Sequence, residues 1–133
     1  MKPIKGKVSQ ALPHGTQVGT CDNSGAKTLR IVSIKGQKTV KGRMPRCGVG
    51  SLVLASVVKG ALSMRKQVVY AVIVRQKKEY KRPDGLRISF EDNAAVVLKD
   101  DKGNPKGTIM KGPIAKEAAD RWPGIAKVAT IIV

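Results

Sequence analysis

Short apolar runs separated by turn residues dominate the pattern of hydrophobic and polar positions along the chain. Four of these runs predict β-strands, at Thr28–Ile34, Leu52–Val58, Val68–Val74 and Ala94–Leu98. The second and third runs are nearly continuous, which is typical of strands covered on both faces. Valine and isoleucine together number 26 against 7 leucines, and this β-branched bias also favours strands over helices.

A fifth stretch, Leu86–Phe90, alternates between apolar and polar residues. The alternation predicts that Leu86, Ile88 and Phe90 face a core while Arg87 and Ser89 face solvent. Turn residues precede this stretch (Pro83-Asp84-Gly85) and follow the last apolar run (Asp100–Pro105). Five or six short strands at this spacing predict a mainly β protein that forms a small closed barrel, because closure leaves no exposed sheet edge.

The end of the chain changes character. The segment Ile114–Trp122 is rich in helix-forming residues, Pro113 suits a first helical turn, and Pro123-Gly124 predicts the helix end. Ile114, Ala118 and Trp122 are four residues apart, so we expect one helix face that packs on the barrel.

A length of 133 residues indicates one domain with one real core. We divide it into an N-terminal segment (1–19), a barrel (20–111) and a short C-terminal helical region (112–133). The loop Lys35–Gly50 contains four glycines and a proline and is predicted to be a long basic arm on the barrel.

The charge is large and unevenly distributed. With 26 Lys and Arg against 9 Asp and Glu, the formal net charge is +17. Residues 1–87 hold 19 of the cations and 3 of the acids, whereas the remainder is nearly neutral. Three clusters, at residues 35–46, 59–66 and 75–87, carry much of the excess. Such clustering predicts a surface that binds a polyanion.

Several protein classes are excluded or disfavoured by what is missing. No apolar run approaches the roughly 18 residues of a membrane span, and no apolar h-region follows Lys2, Lys5 and Lys7. We therefore expect an intracellular protein with reduced thiols. Cys21 and Cys47 show no CxxC pairing and, with one histidine, cannot form an ordinary zinc site, so we interpret them as packed core residues.

The residues suited to catalysis do not form a recognisable site, and we expect neither an enzyme nor a cofactor. His14 lies in a Pro-His-Gly turn, and Ser24 lies in the turn Asp22–Gly25 without the flanks of a nucleophile elbow. The turn Asp22–Gly25 is a candidate for positioning neighbouring strands. The alternative is a nuclease in which the acidic pair Glu91-Asp92 binds a metal ion. Charge balance or a turn explains the pair more simply.

The kind of polyanion is suggested by the aromatic residues. Only four are present, Tyr70, Tyr80, Phe90 and Trp122, and stacking of unpaired bases needs two or three on one surface. This scarcity favours recognition of folded RNA by shape and backbone. A free, DNA-compacting basic barrel protein is the alternative.

A series of motifs in fixed order resembles a known family. The motifs are Cys21–Lys27, Ala71–Lys78, Arg82–Gly85, Phe90–Leu98 and Gly107–Ala115. Together they resemble the universal large-subunit ribosomal protein family numbered fourteen, from about Thr20 to the C-terminus. The segment Met1–Gly19, Glu91-Asp92-Asn93 and the final Ala-Thr-Ile-Ile-Val are similar to the archaeal branch.

The resemblance implies a five-stranded barrel with a basic hairpin-like loop and short C-terminal helices. It implies a cytoplasmic, structural role in the large ribosomal subunit: binding its rRNA and helping to form intersubunit bridges with small-subunit rRNA. Family members neighbour the large-subunit protein numbered three and, in archaea, a zinc-containing protein numbered twenty-four. An anti-association factor docks on the C-terminal region of relatives.

Charge and resemblance together predict the functional residues. The predicted rRNA contacts are Lys35, Lys38, Lys41, Arg43, Arg46, Arg65, Lys66, Arg75, Lys77, Lys78 and Arg82. The predicted protein-partner contacts, within Gly107–Arg121, are Thr108, Lys111, Lys116 and Arg121. No catalytic or metal-binding residue is predicted.

Overall fold

The computed structural model describes every residue from Met1 to Val133. It contains eleven strands and two short helices. The strands are β1 (Leu12–Pro13), β2 (Gln17–Thr20), β3 (Ala26–Ile34), β4 (Arg46–Cys47), β5 (Leu52–Gly60), β6 (Val68–Arg75), β7 (Tyr80–Lys81), β8 (Arg87–Ile88), β9 (Ala94–Leu98), β10 (Pro113–Ile114) and β11 (Ile131–Ile132). The helices are α1 (Lys116–Arg121) and α2 (Pro123–Val128). Neither helix is long and apolar enough to cross a membrane.

Five strands close into a barrel in the order β2-β3-β5-β6-β9. All neighbours are antiparallel except β2 and β9, which close the barrel as a parallel pair with Gly19 opposite Ala94. The closed five-stranded barrel confirms the predicted fold class, and four of its strands coincide with the predicted apolar runs. The strand β2 was not predicted, because its sequence Gln-Val-Gly-Thr contains a single large apolar residue.

Two apolar cores lie on opposite sides of the same barrel wall. Side chains from all five strands fill the interior, among them Leu29 and Ile73. The opposite face of β6 and β9, including Val72 and Val96, packs beneath the C-terminal region. Residues 71–74 of β6 are therefore buried on both faces, but the predicted run began at Val68, which is 61% exposed. The outer face of β5 is covered less than predicted, and Val58 is 40% exposed there.

The predicted strand Leu86–Phe90 is shorter than expected. Only Arg87 and Ile88 pair, with β7, in a two-residue ladder outside the barrel. The tight turn before them, in which the Gly85 amide donates to the Arg82 carbonyl over 2.9 Å, places Leu86 at the hairpin end. The prediction that Leu86 faces the core is wrong, since it is 56% exposed. Ile88 and Phe90 are half-buried against the outer core.

The C-terminal region contains two short helices, as the resemblance implied, whereas the residue pattern predicted one helix at Ile114–Trp122. Pro113 and Ile114 form β10, which pairs in parallel with β11, so the helix begins later, at Lys116. Pro123 is the first residue of α2 instead of a terminator, because its missing amide is tolerated at that position. Ile114, Ala118 and Trp122 are buried as expected, but only Ala118 lies within α1, so they do not form one helix face. The Trp122 indole donates to the Gly50 carbonyl over 2.9 Å.

Both cysteines are free and buried in the apolar cores, which confirms the interpretation as packed residues. Burial raises the pKa of Cys21 to about 11 and that of Cys47 to about 12. His14 is exposed in a turn, as predicted.

Candidate nucleic-acid interface

The basic loop between β3 and β5 forms a short hairpin that projects from the barrel. At its tip Val40 and Arg43 form an isolated antiparallel bridge around Lys41 and Gly42, whose φ angles are 52° and 76°. Two consecutive positive φ angles are characteristic of a tight hairpin turn, which favours glycine at the second position. The loop is therefore hairpin-like at its tip, whereas at its base β4 pairs with β1 and not with the other arm of the loop.

The cations of this loop are exposed and largely free of internal partners. Lys38, Lys41, Arg43 and Arg46 are exposed, and no carboxylate lies within 4.0 Å of their charged groups. Lys35 is 3.9 Å from Asp101, but both side chains are about half exposed. Such a surface pair contributes little, so the charge of the loop is not neutralised within the protein.

Two further groups of predicted contacts are equally exposed. Arg65 and Lys66 lie in the turn between β5 and β6, and Lys77 and Lys78 follow β6. None of the four side chains has an ion-pair partner. The structure therefore places nine of the eleven predicted rRNA contacts on the surface with their charges available.

Arg75 was predicted as an rRNA contact, but the structure gives it an internal role. Its side chain is 12% exposed, and its Nε lies 3.0 Å from Asp92 Oδ1. Its Nη1 donates to the carbonyls of Lys111 and Pro113 over 3.2 and 3.3 Å. Arg75 thus ties the end of β6 to the start of the C-terminal region. The guanidinium is already committed, so we no longer count it as an rRNA contact.

Arg82 is bound in the same way and is likewise removed from the predicted rRNA contacts. Its Nε lies 2.7 Å from Glu117 Oε1, and the two side chains are 13% and 9% exposed. Arg82 Nη2 donates to the Val133 carbonyl, and Tyr80 donates to Glu117 Oε2 over 2.8 Å. Burial, followed by the Glu117 carboxylate, raises the pKa of Tyr80. This cluster joins β7, α1 and the end of β11.

The turn Asp22–Gly25 positions two distant parts of the chain. Asp22 Oδ2 accepts from the Val97 amide over 3.0 Å, and Asp22 Oδ1 accepts from Ser24 over 2.9 Å. Asn23 Oδ1 accepts from the amides of Thr108 and Ile109 over 2.8 and 3.3 Å. Burial raises the pKa of Asp22, although the hydrogen bonds to its carboxylate oppose that rise. The turn identified in the sequence is therefore structural.

The predicted protein-partner residues do not form one patch. Thr108, Lys111 and Lys116 are exposed, and large apolar side chains accompany them: Ile109 and Ile132 are 58% and 48% exposed. Arg121 instead lines a cleft with the N-terminal segment. We call the exposed set Thr108, Ile109, Lys111, Lys116 and Ile131–Val133 the C-terminal surface.

The acidic pair does not assemble a metal centre. Asp92 is engaged by Arg75, and no group of three or more His, Cys, Asp or Glu side chains could hold a metal ion. The nuclease alternative therefore has no structural support.

Comparison with known proteins decides the family. The family model described as ribosomal protein L14p/L23e matches residues 11–133. The chain belongs to this family. Similar relatives carry the name large ribosomal subunit protein uL14. That of Nanoarchaeum equitans (strain Kin4-M) is 53% identical over the whole of both chains. Those of Methanococcus vannielii and Methanococcus maripaludis (strain C7 / ATCC BAA-1331) are 49% and 50% identical over 99% of each chain.

Membership in the L14p/L23e family confirms the resemblance, including its archaeal type, since these three relatives are archaeal proteins. The chain is a structural component of the large ribosomal subunit and not an enzyme. The predicted location, the ribosome in the cytoplasm, is supported by the same comparisons. A free DNA-compacting protein is correspondingly disfavoured.

Proposed function

We propose that the chain binds large-subunit rRNA through its exposed basic loop, the turn with Arg65 and Lys66, and Lys77 and Lys78. The observation that carries this proposal is the state of the loop cations: Lys38, Lys41, Arg43 and Arg46 are exposed and have no internal carboxylate. Phosphate groups relieve the mutual repulsion of these cations, and the cations in turn release the counterions condensed on the RNA.

Recognition rests on shape and backbone contacts. Tyr80 and Trp122 are buried, and Tyr70 and Phe90 are half-buried against the cores, so no exposed set of rings forms a stacking platform. Arginine binds phosphate oxygens bidentately, whereas lysine acts as a point charge. A rigid barrel that carries cations on separate connections can bind several RNA segments at once and fix their relative placement. That is an architectural function.

The remaining exposed surfaces suit the other neighbours that the family resemblance implies. We propose that the chain helps to form intersubunit bridges with small-subunit rRNA and neighbours the proteins numbered three and twenty-four. The C-terminal surface combines exposed Ile109 and Ile132 with Lys111 and Lys116. Exposed apolar side chains beside cations are typical of a protein-binding patch, and we propose an anti-association factor as its partner.

The rRNA proposal is tested by filter binding across a range of salt concentrations. We compare the wild type with a loop variant that changes Lys38, Lys41, Arg43 and Arg46 to Gln. A control variant removes the same four charges from the nearly neutral C-terminal third, by changing Lys99, Lys102, Lys106 and Lys127 to Gln. Each lost phosphate contact makes the slope of log affinity against log salt shallower by about 0.7–0.9. We expect a shallower slope for the loop variant only.

Two results would refute the rRNA proposal. One is a loop variant and a control variant with equal slopes, which would show that only net charge matters. The other is equal affinity for duplex DNA and for rRNA in competition at matched salt, which would restore the DNA-compacting alternative.

The bridge proposal is tested separately, by reassociation of subunits whose large subunit lacks the chain. We expect fewer joined ribosomes than with complete particles.

A further inference from the structure

A small cleft lies between the N-terminal segment and the barrel. It has a volume of about 200 Å³. The residues that line it are Ile4, Gly6, Lys7, Val8, Gln10, Gly48, Val49, Ser51 and Arg121. Two of these residues, Lys7 and Arg121, are cations, and none is an acid. The Ser51 hydroxyl accepts a hydrogen bond from the Gly48 amide over 3.2 Å, which leaves its own hydrogen free to donate. All the charged groups that line the cleft are thus of one sign.

Arg121 is the exception among the half-buried arginines. Arg75 and Arg82 each face a carboxylate at 3.0 and 2.7 Å, whereas no carboxylate lies within 4.0 Å of Arg121. Its Nε is shielded from solvent and has no hydrogen-bond partner. The one side-chain partner of its guanidinium is the sulfur of Met1, a weak acceptor, at 3.1 Å from Nη2. Burial without a counter-charge lowers the pKa of Arg121.

A shielded Nε–H donor without an acceptor is costly, because its desolvation is not offset by a hydrogen bond. The position of Arg121 is nevertheless well determined. Its carbonyl accepts from the Lys2 amide over 3.1 Å, and the neighbouring Trp122 is anchored to Gly50. The cleft therefore holds a guanidinium on an anchored backbone, and its only side-chain acceptor within the protein is the weak Met1 sulfur.

We propose that this cleft is a phosphate-binding site, in which Arg121, Lys7 and Ser51 hold one phosphate group of the rRNA backbone. The site deepens the proposed function, on which it rests. Its three ligands lie outside the basic loop Lys35–Gly50, although Gly48 and Val49 at the end of that loop line the cleft. It changes the role predicted for Arg121 from a protein contact to an RNA contact. It also gives the N-terminal segment a function, because a phosphate between Lys7 and Arg121 would fix that segment against the barrel.

The test uses the full chain and large-subunit rRNA in filter binding across salt. The site variant is K7Q/R121Q, and a matched control, K99Q/K102Q, removes two cations elsewhere. Loss of one phosphate contact makes the slope shallower by about 0.7–0.9 for the site variant, with no change for the control. The single variant K7Q, at an exposed position that cannot affect folding strongly, is expected to show a smaller change of the same sign. Thermal melting of R121Q should match or exceed that of the wild type.

A second arm distinguishes the source of the phosphate. Inorganic phosphate is titrated at fixed ionic strength while the amide signals of Gly48, Gly50 and Ser51 are followed by NMR. We expect saturable shifts that chloride does not cause and that K7Q/R121Q loses. Saturable shifts together with an unchanged RNA slope would overturn RNA as the source and leave a site for free phosphate.

The outcomes distinguish the proposal of a phosphate site in the cleft from the proposal of rRNA binding on which it rests. If the loop variant has a shallower slope and the site variant behaves as the wild type, the cleft proposal is overturned while rRNA binding stands. If the wild type does not bind rRNA, the proposed function fails first. A melting temperature of R121Q well below that of the wild type would mark Arg121 as a structural residue and overturn its assignment as a ligand.

Discussion

The ion pair between Arg82 and Glu117 offers the sharpest quantitative test of how the C-terminal region is held. The side chains are 13% and 9% exposed, and the shortest distance between them is 2.7 Å. Removing one partner of a buried pair costs about 3–5 kcal/mol, because the other charge is left without compensation. Since this pair is not completely buried, we expect about 3 kcal/mol for E117Q and for R82M.

The double variant R82M/E117Q should be much less destabilised than the sum of the single variants. The glutamine still accepts from the Tyr80 hydroxyl, and no uncompensated charge remains. We expect a coupling energy of about 2 kcal/mol, which is within the range found for residues in one network. For a domain of this size, a change of 3 kcal/mol lowers the melting temperature by roughly 10 °C.

Urea unfolding of the wild type, both single variants and the double variant measures the coupling. The neighbouring pair of Arg87 and Glu79 serves as the control, because its atoms are 3.0 Å apart but its side chains are 63% and 48% exposed. The control cycle should give a coupling energy below about 1 kcal/mol. Equal coupling in the two cycles, or additive single effects at Arg82 and Glu117, would refute the claim that burial makes this pair important.

Three further predictions concern buried groups. Because burial raises the pKa of Asp22, the folded state holds that proton more readily than the unfolded state. The wild type should therefore lose stability relative to D22N as pH rises from the ordinary aspartate pKa through the raised one, as urea midpoints from pH 3.5 to 7 will show. Cys21 and Cys47, with a pKa of about 11 and about 12, should resist alkylation at pH 8 until the chain is unfolded, and rapid native labelling would contradict their burial. G103A should destabilise the chain more than G85A in thermal melting: both positions have φ above 90°, but only at Gly103 would an added Cβ lie 2.5 Å from the buried tryptophan ring. Equal losses for the two variants would show that backbone strain alone is responsible.

The barrel could be predicted from the sequence wherever burial on both faces produced a continuous apolar run. The strands β6 and β9 are of this kind, whereas β3 and β5 are well covered on one face only and were found from the inward apolar residues that recur along them. The strand β2 escaped detection because four residues with one inward valine leave almost no periodic signal. Leu86 was misplaced because alternation predicts a face only within a strand, and the strand β8 begins one residue later, at Arg87.

A local cluster in the sequence identifies basic residues but not which of them the fold neutralises. Exposed cations such as Lys38 and Arg43 can be predicted from a local cluster, because nothing distant changes their state. Arg75 and Arg82 belong to an equally basic cluster, but their carboxylate partners lie 17 and 35 residues further along the chain. Which arginine is neutralised depends on the fold, and no local pattern contains that information.

The parallel pairing of β2 with β9 has a consequence for how the chain acquires its structure. During synthesis, Gly19 has no strand partner on that side until Ala94, about 75 residues later, has been added to the chain. At typical synthesis rates of about 5–20 residues per second, the edges of the sheet stay open for several seconds in the nascent chain. Non-local closure of this kind slows folding, and the open edges are where a chaperone or misassembly would act first.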